Sequence, residues 1–153
     1  RMERIDRDIE TRSANAAYLS RQMAQFPFLE MLKEDERVTR NSLHLFVFKY
    51  KSQGLKGLGR ELFIRALNAE NVAMAAEGYN EPIYRMRFLY DESFTRMTGC
   101  VFTDPTDQLP NNENCAANEG CWLYHATLLG ERGDMEAIAN ALLKVYENID
   151  ELI

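Results

Sequence analysis

With 153 residues, 46% of them hydrophobic and 27% charged, the chain has the length of one ordinary domain and the composition of a globular one. Its 24 acidic against 18 basic residues leave a formal net charge of -6, which offers no broad basic surface to nucleic acid or an anionic membrane. No run of about 18 apolar residues exists and the first residues are charged, so neither a span nor a signal segment is expected, and the cytoplasm is the expected compartment.

The chain opens at Arg1 directly in a helical pattern, as a segment of a longer protein would. Met2, Ile5, Ile9, Ala16, Leu19 and Met23 lie on one stripe, so residues 1–24 are predicted as a helix that ends before Pro27. Phe26, Phe28, Leu29, Met31 and Leu32 form an apolar knot ahead of a charged bend. Leu43 to Phe48, apolar apart from His44, reads as a strand near the middle of a sheet. Gly54, Gly57 and Gly59 punctuate a turn, and Leu58, Leu62, Phe63, Ala66 and Leu67 then recur at helical spacing, with Arg60, Glu61, Arg65 and Asn68 expected in water. A second strand is predicted at Val72 to Ala76.

Turn-forming residues dominate from Asn80 to Asn118, where one short helix is expected near Glu92 to Met97. Long segments of this kind are often binding loops. Cys121 to Leu129 is predicted as a third strand, and a last helix starts at Gly133 and Asp134. Its apolar stripe runs through Met135, Ile138, Ala139, Leu142, Val145, Tyr146, Ile149 and Leu152. The expected fold is α+β: a small, mainly antiparallel three-stranded sheet with helices packed on one face, residues 1–153 forming one domain with a long loop at 86–120.

Few residues announce chemistry. Cys100, Cys115 and Cys121 cannot all pair and are expected as free thiols in a reducing compartment. The cysteines and histidines show no CxxC or HxxxH spacing, so no metal centre is expected. His44 reads as a histidine of the core or sheet face; His125, beside Trp122 and Tyr124 near a strand end, could equally serve structure or a ligand. GLKGLG before a helix reads as a plain turn, matching neither phosphate-loop pattern. The loop 78–90, GYNEPIYRMRFLY, gathers Tyr79, Tyr84, Tyr90, Arg85 and Arg87 around Pro82, groups that orient polar or anionic small molecules or, alternatively, seal a sheet edge.

Three runs, taken in order, carry a resemblance: HLFVFKY, then ELFIRALNAENVAMAAEGYNEPIYR, then WLYHATLLGERGDMEAIANALLKVYENI. Together they resemble the C-terminal, small domain of the DegT/DnrJ/EryC1/StrS aminotransferases, over nearly the whole chain. The resemblance implies the small domain of a fold-type I, pyridoxal-phosphate-dependent enzyme that works as a homodimer. Residues 1–24 would be the connector from a large domain. Such an enzyme moves an amino group from an amino-acid donor to a keto sugar, often nucleotide-linked, or to a keto cyclitol. By position in the matched loops, Tyr79, Glu81, Tyr84, Arg85, Trp122 and His125 would line the substrate side, although Tyr84 stands where many relatives carry His. No counterpart of the family's cofactor lysine is found, Lys49, Lys51 and Lys56 lying in the wrong context. This stretch alone is therefore expected to be inactive and to hold no cofactor covalently. The alternative reading of the residues is a free-standing module for small-ligand binding or dimerisation.

Overall fold

The computed structural model describes residues 2–33, 35–72, 75–105 and 109–153. A single 3₁₀ turn leads into α1, Ile5–Met23, whose Asp6 and Asp8 sit favourably in the first turn. Ala16, Tyr18, Leu19 and Met23 form its buried stripe. Asn15 ties the helix to the far end of the chain, donating through Nδ2 to the carbonyls of Leu128 and Gly130, both at 2.9 Å. The Arg132 guanidinium covers the Tyr18 ring at 3.4 Å, a second clasp between the same regions.

Among the described residues four strands form one antiparallel sheet: β1 Leu29–Met31, β2 Leu45–Tyr50, β3 Ala75–Glu77 and β4 Gly120–Tyr124, in the order β1-β2-β4-β3. The α+β class is the expected one, and the sheet gains a short edge strand from the apolar knot. Three residues are too few for alternation to mark β1 in the sequence; its pairing with Phe48 to Tyr50 creates it. Period-two alternation divides the sheet sharply. Leu29, Phe46, Phe48, Tyr50, Cys121 and Leu123 are buried on the helix-covered face, whereas Glu30, Leu45, Val47, Lys49, Trp122 and Tyr124 share the opposite one.

Helix α2, Arg60–Ala69, and α5, Arg132–Glu147, complete the covered side. Tyr50 and Phe63 stack at 4.5 Å with 10° between their planes, and Phe28 meets Phe63 edge-on at 5.7 Å. The Tyr50 hydroxyl donates to the Leu58 carbonyl at 2.7 Å, and burial, then the nearby Cys121 thiol, pushes its pKa up. Helix α5 begins with a reciprocal cap, Glu131 and Asp134 each bonding the other's backbone N–H. Its buried residues are Met135, Ile138, Ala141, Leu142 and Val145.

Several boundaries differ from expectation for local reasons. Strand β2 starts at Leu45, because Leu43 has φ of 50° and its N–H is taken by Asn41 Oδ1 at 2.9 Å; His44 therefore precedes the strand and is exposed. The buried positions of α2 are Arg60, Phe63, Ile64 and Leu67, so Leu62 is 45% exposed and Arg60, expected in water, is only 7% exposed. Strand β3 covers Ala75–Glu77; the predicted positions 73 and 74 lie outside the described residues. The third predicted strand stops at Tyr124, and Thr127–Leu129 form a 3₁₀ turn.

The loop is less bare than its composition suggests. Two 3₁₀ turns, Ile83–Arg85 and Arg87–Tyr90, precede α3, Glu92–Thr98, capped by the Asp91 carboxylate and closed by Gly99 at φ of 71°. Helix α4, Pro110–Asn114, runs into a π turn, Cys115–Glu119, that delivers β4. No helix is long and apolar enough to cross a membrane among the described residues.

Candidate functional site

The six candidate residues fall in separate places. Tyr79 and Trp122 meet edge-on, with centroids 5.3 Å apart, and Trp122 lies on the sheet face opposite the buried one. Trp122 pairs with Val47 on one side and Ala76 on the other, which sets its indole at the middle of that face. Its Nε1 is buried without an acceptor among the described residues, while the Tyr79 ring beside it is 69% exposed. An indole N–H left unpaired costs about 1–3 kcal/mol.

His125 lies one residue beyond β4, exposed, its ring 5.6 Å from that of His44. Tyr84 is 5% exposed and donates its hydroxyl to Glu113 Oε1 at 2.7 Å; Arg85 Nη2 reaches Glu113 Oε2 at 3.1 Å. Burial, then the Glu113 carboxylate, pushes the Tyr84 hydroxyl up. These two side chains thus fasten the 83–90 turns to α4, and Tyr84 spends its hydroxyl inside the fold. Glu81 is exposed, with no side-chain partner among the described residues.

A second feature escapes the sequence. The Arg60 guanidinium donates to the carbonyls of Ala116 and Gly120 at 3.0 and 3.1 Å and to Asn80 Oδ1 at 2.9 Å. Three oxygens from two distant segments replace water around it, which is why a charged residue holds the first buried position of α2. It lies at the edge of an open, polar cavity of about 520 Å³, lined also by Ser52, Gln53, Asn80, Asn118 and Glu119. Only the glycine-flanked position of Arg60 hinted at this, since its partners are brought in by folding.

The lysines do not fit a residue that would hold an aldehyde cofactor covalently. Lys49 and Lys51 bridge Glu30 and Glu119, Lys56 pairs with Asp150, Lys144 with Glu70, and Lys33 is exposed. None of them lines the cavity. Among the described residues no group of three or more His, Cys, Asp or Glu stands together. Cys100, Cys115 and Cys121 form no disulfide among the described residues.

Comparisons with known proteins agree with this architecture. The chain is 27% identical, over 92% of its length, to "Putative L-glutamine:3-amino-2,3-dideoxy-scyllo-inosose aminotransferase" of Streptomyces kanamyceticus. It is 26% identical, over 99% of its length, to L-glutamine:2-deoxy-scyllo-inosose aminotransferase of Micromonospora echinospora. It spans only 35% and 36% of these two relatives, about a third of their length. A crystal structure of 3-amino-5-hydroxybenzoic acid synthase shares the fold, with a TM-score of 0.64 at 22% identity over 93% of this chain and 35% of that one. Residues 1–142 match the sequence profile of the DegT/DnrJ/EryC1/StrS aminotransferases, and with most of its length inside that profile the chain belongs to this family.

Proposed function

We propose that the chain is the small domain of an aminotransferase that transfers an amino group to a keto cyclitol or a keto sugar. The observation that carries this reading is the family match over residues 1–142, joined by relatives named for scyllo-inosose substrates. Their names also make glutamine the favoured donor. Pyridoxal phosphate, when bound, supplies the electron sink and amino carrier of such a transfer. The lysines here do not fit its covalent attachment, so in the whole protein it is held by residues other than these, and this chain contributes a wall rather than the reacting group.

Within that wall the sheet face that carries Trp122 is the substrate side. Tyr79 and Trp122 give it an aromatic floor, with the unpaired indole N–H offered to a hydroxyl or keto oxygen, and His125 stands at its end. Glu81 is exposed on the loop and Arg85 is held by Glu113, whereas the inward hydroxyl of Tyr84 supports a positioning role. We further infer that the protein acts in the cytoplasm as a homodimer; the free thiols of Cys100 and Cys115 and the family's habit support this.

The test uses the full-length protein loaded with pyridoxal phosphate, glutamine and a keto cyclitol, with product amine read by mass spectrometry. Amination is expected. Trp122→Ala and His125→Ala are each expected to lower kcat/KM by about tenfold, or ~1.4 kcal/mol, with the thermal transition kept. Failure to aminate any keto cyclitol or keto sugar from glutamine or glutamate overturns the reading. Full activity in both variants moves the substrate side elsewhere. The isolated chain is expected to give no pyridoxal absorbance change that survives dilution.

A further inference from the structure

We propose that His44 and His125 together chelate a divalent transition metal ion of the zinc or nickel kind. The register of β2 on β4 pairs Leu45 with Tyr124, so the next residues outward, His44 and His125, face each other across the end of the ladder. Their rings lie 5.6 Å apart, centroid to centroid, with 19° between the planes, and both side chains are exposed. Neither ring has a hydrogen-bond or ion-pair partner among the described residues, which leaves both imidazoles free to offer a nitrogen lone pair.

Two imidazoles sharing a tetrahedral ion at about 2.1 Å per bond bring their centroids to about 5 Å. The observed spacing is close to that value, and the exposed rings reach a shared ion by turning out of their near-parallel stack until their in-plane lone pairs converge on it. The backbone is already in place. Five residue pairs hold β2 against β4, and the Asn41 bond to the Leu43 N–H fixes the approach to His44. Pre-ordered ligands lose little entropy on closing around an ion. Imidazole favours borderline ions such as Zn²⁺, Ni²⁺ and Cu²⁺ over Mg²⁺ or Ca²⁺. Because no third His, Cys, Asp or Glu joins the pair among the described residues, the other coordination positions face water or an incoming oxygen or nitrogen ligand. The pairing is invisible to sequence spacing, since one histidine precedes β2 and the other follows β4. The inference stands on this geometry and not on the aminotransferase reading.

The test titrates the chain, in a Cys100→Ser and Cys115→Ser background so that exposed thiols do not compete, with Zn²⁺, Ni²⁺ and, as the hard control, Mg²⁺. Calorimetry gives affinity and NMR follows the two imidazole C–H resonances. The expected result is one Zn²⁺ or Ni²⁺ per chain, both histidines responding together, and no response to Mg²⁺. His44→Ala and His125→Ala are each expected to weaken binding by at least about tenfold, through loss of one of two ligands. A response from one histidine alone, or affinity unchanged in either variant, overturns the proposal.

Discussion

Glu119 shows how single side chains set the geometry around the cavity. It lies in the π turn before β4 and accepts from Lys51 Nζ and Asn114 Nδ2, each at 2.8 Å, with Lys49 Nζ at 3.8 Å. Burial alone would raise its pKa, but the Lys51 hydrogen bond and the charges of Lys51 and Lys49 outweigh burial and hold the carboxyl below its ordinary 4.5. The same bond raises Lys51 above its ordinary 10.5. A lowered carboxyl stabilises the fold above its unfolded pKa and loses that contribution as pH falls through the folded value. A raised lysine contributes below its unfolded pKa and loses that as pH rises through the folded one. The pair therefore stabilises the neutral range and weakens at both extremes. Glu119→Gln is expected to lower unfolding free energy by about 1 kcal/mol at neutral pH, discounted for partial exposure. In urea titrations the gap to the parent should close as pH falls below the ordinary carboxylate range; a gap that persists there would assign the loss to packing.

Between elements, the close approaches are made by glycine. A Cβ on Gly54 would lie 2.7 Å from the Pro27 carbonyl and from the Phe28 N–H, both backbone, where the turn before α2 presses on the entry to β1. Gly54→Ala is expected to cost about 1–3 kcal/mol by overpacking. Gly133 is the counterexample: it sits in the first turn of α5, exposed, with nothing within 4 Å of an added Cβ. Gly133→Ala should stabilise by about 0.5–1 kcal/mol, through helix propensity and a less flexible unfolded chain. Thermal melts of the two variants moving in the same direction would refute this account. The α2 stripe at 60, 63, 64 and 67 teaches a similar lesson. Its period was legible in the sequence, but its phase was not, because the partners that let Arg60 be buried come from positions 80, 116 and 120.

For the whole molecule, one apolar cluster joins both ends of the chain. Leu19 and Met23 of α1, Leu128 of the turn after β4 and Met135 of α5 are each no more than 1% exposed within it. Deleting residues 1–24 is therefore expected to abolish the cooperative thermal transition, read by near-ultraviolet circular dichroism, rather than merely to shorten the protein. A truncated chain that still melted sharply would make α1 a peripheral connector. Trp122 stands on the opposite side of the sheet with Tyr79 against it, and the two histidines meet at its end.

The sequence by itself determined the α+β class, the long helices and the family resemblance, because these are written in local periodicity and ordered motifs. It also singled out Trp122 and His125 by type and neighbourhood. Tertiary structure alone decided the rest. Strand β1 exists only through its pairing with β2, Tyr84 turns inward because Glu113 receives it, Arg60 is buried because distant carbonyls replace its water, and His44 meets His125 because two strands align. Each of these depends on a partner far along the chain, and no local pattern encodes which partner will arrive.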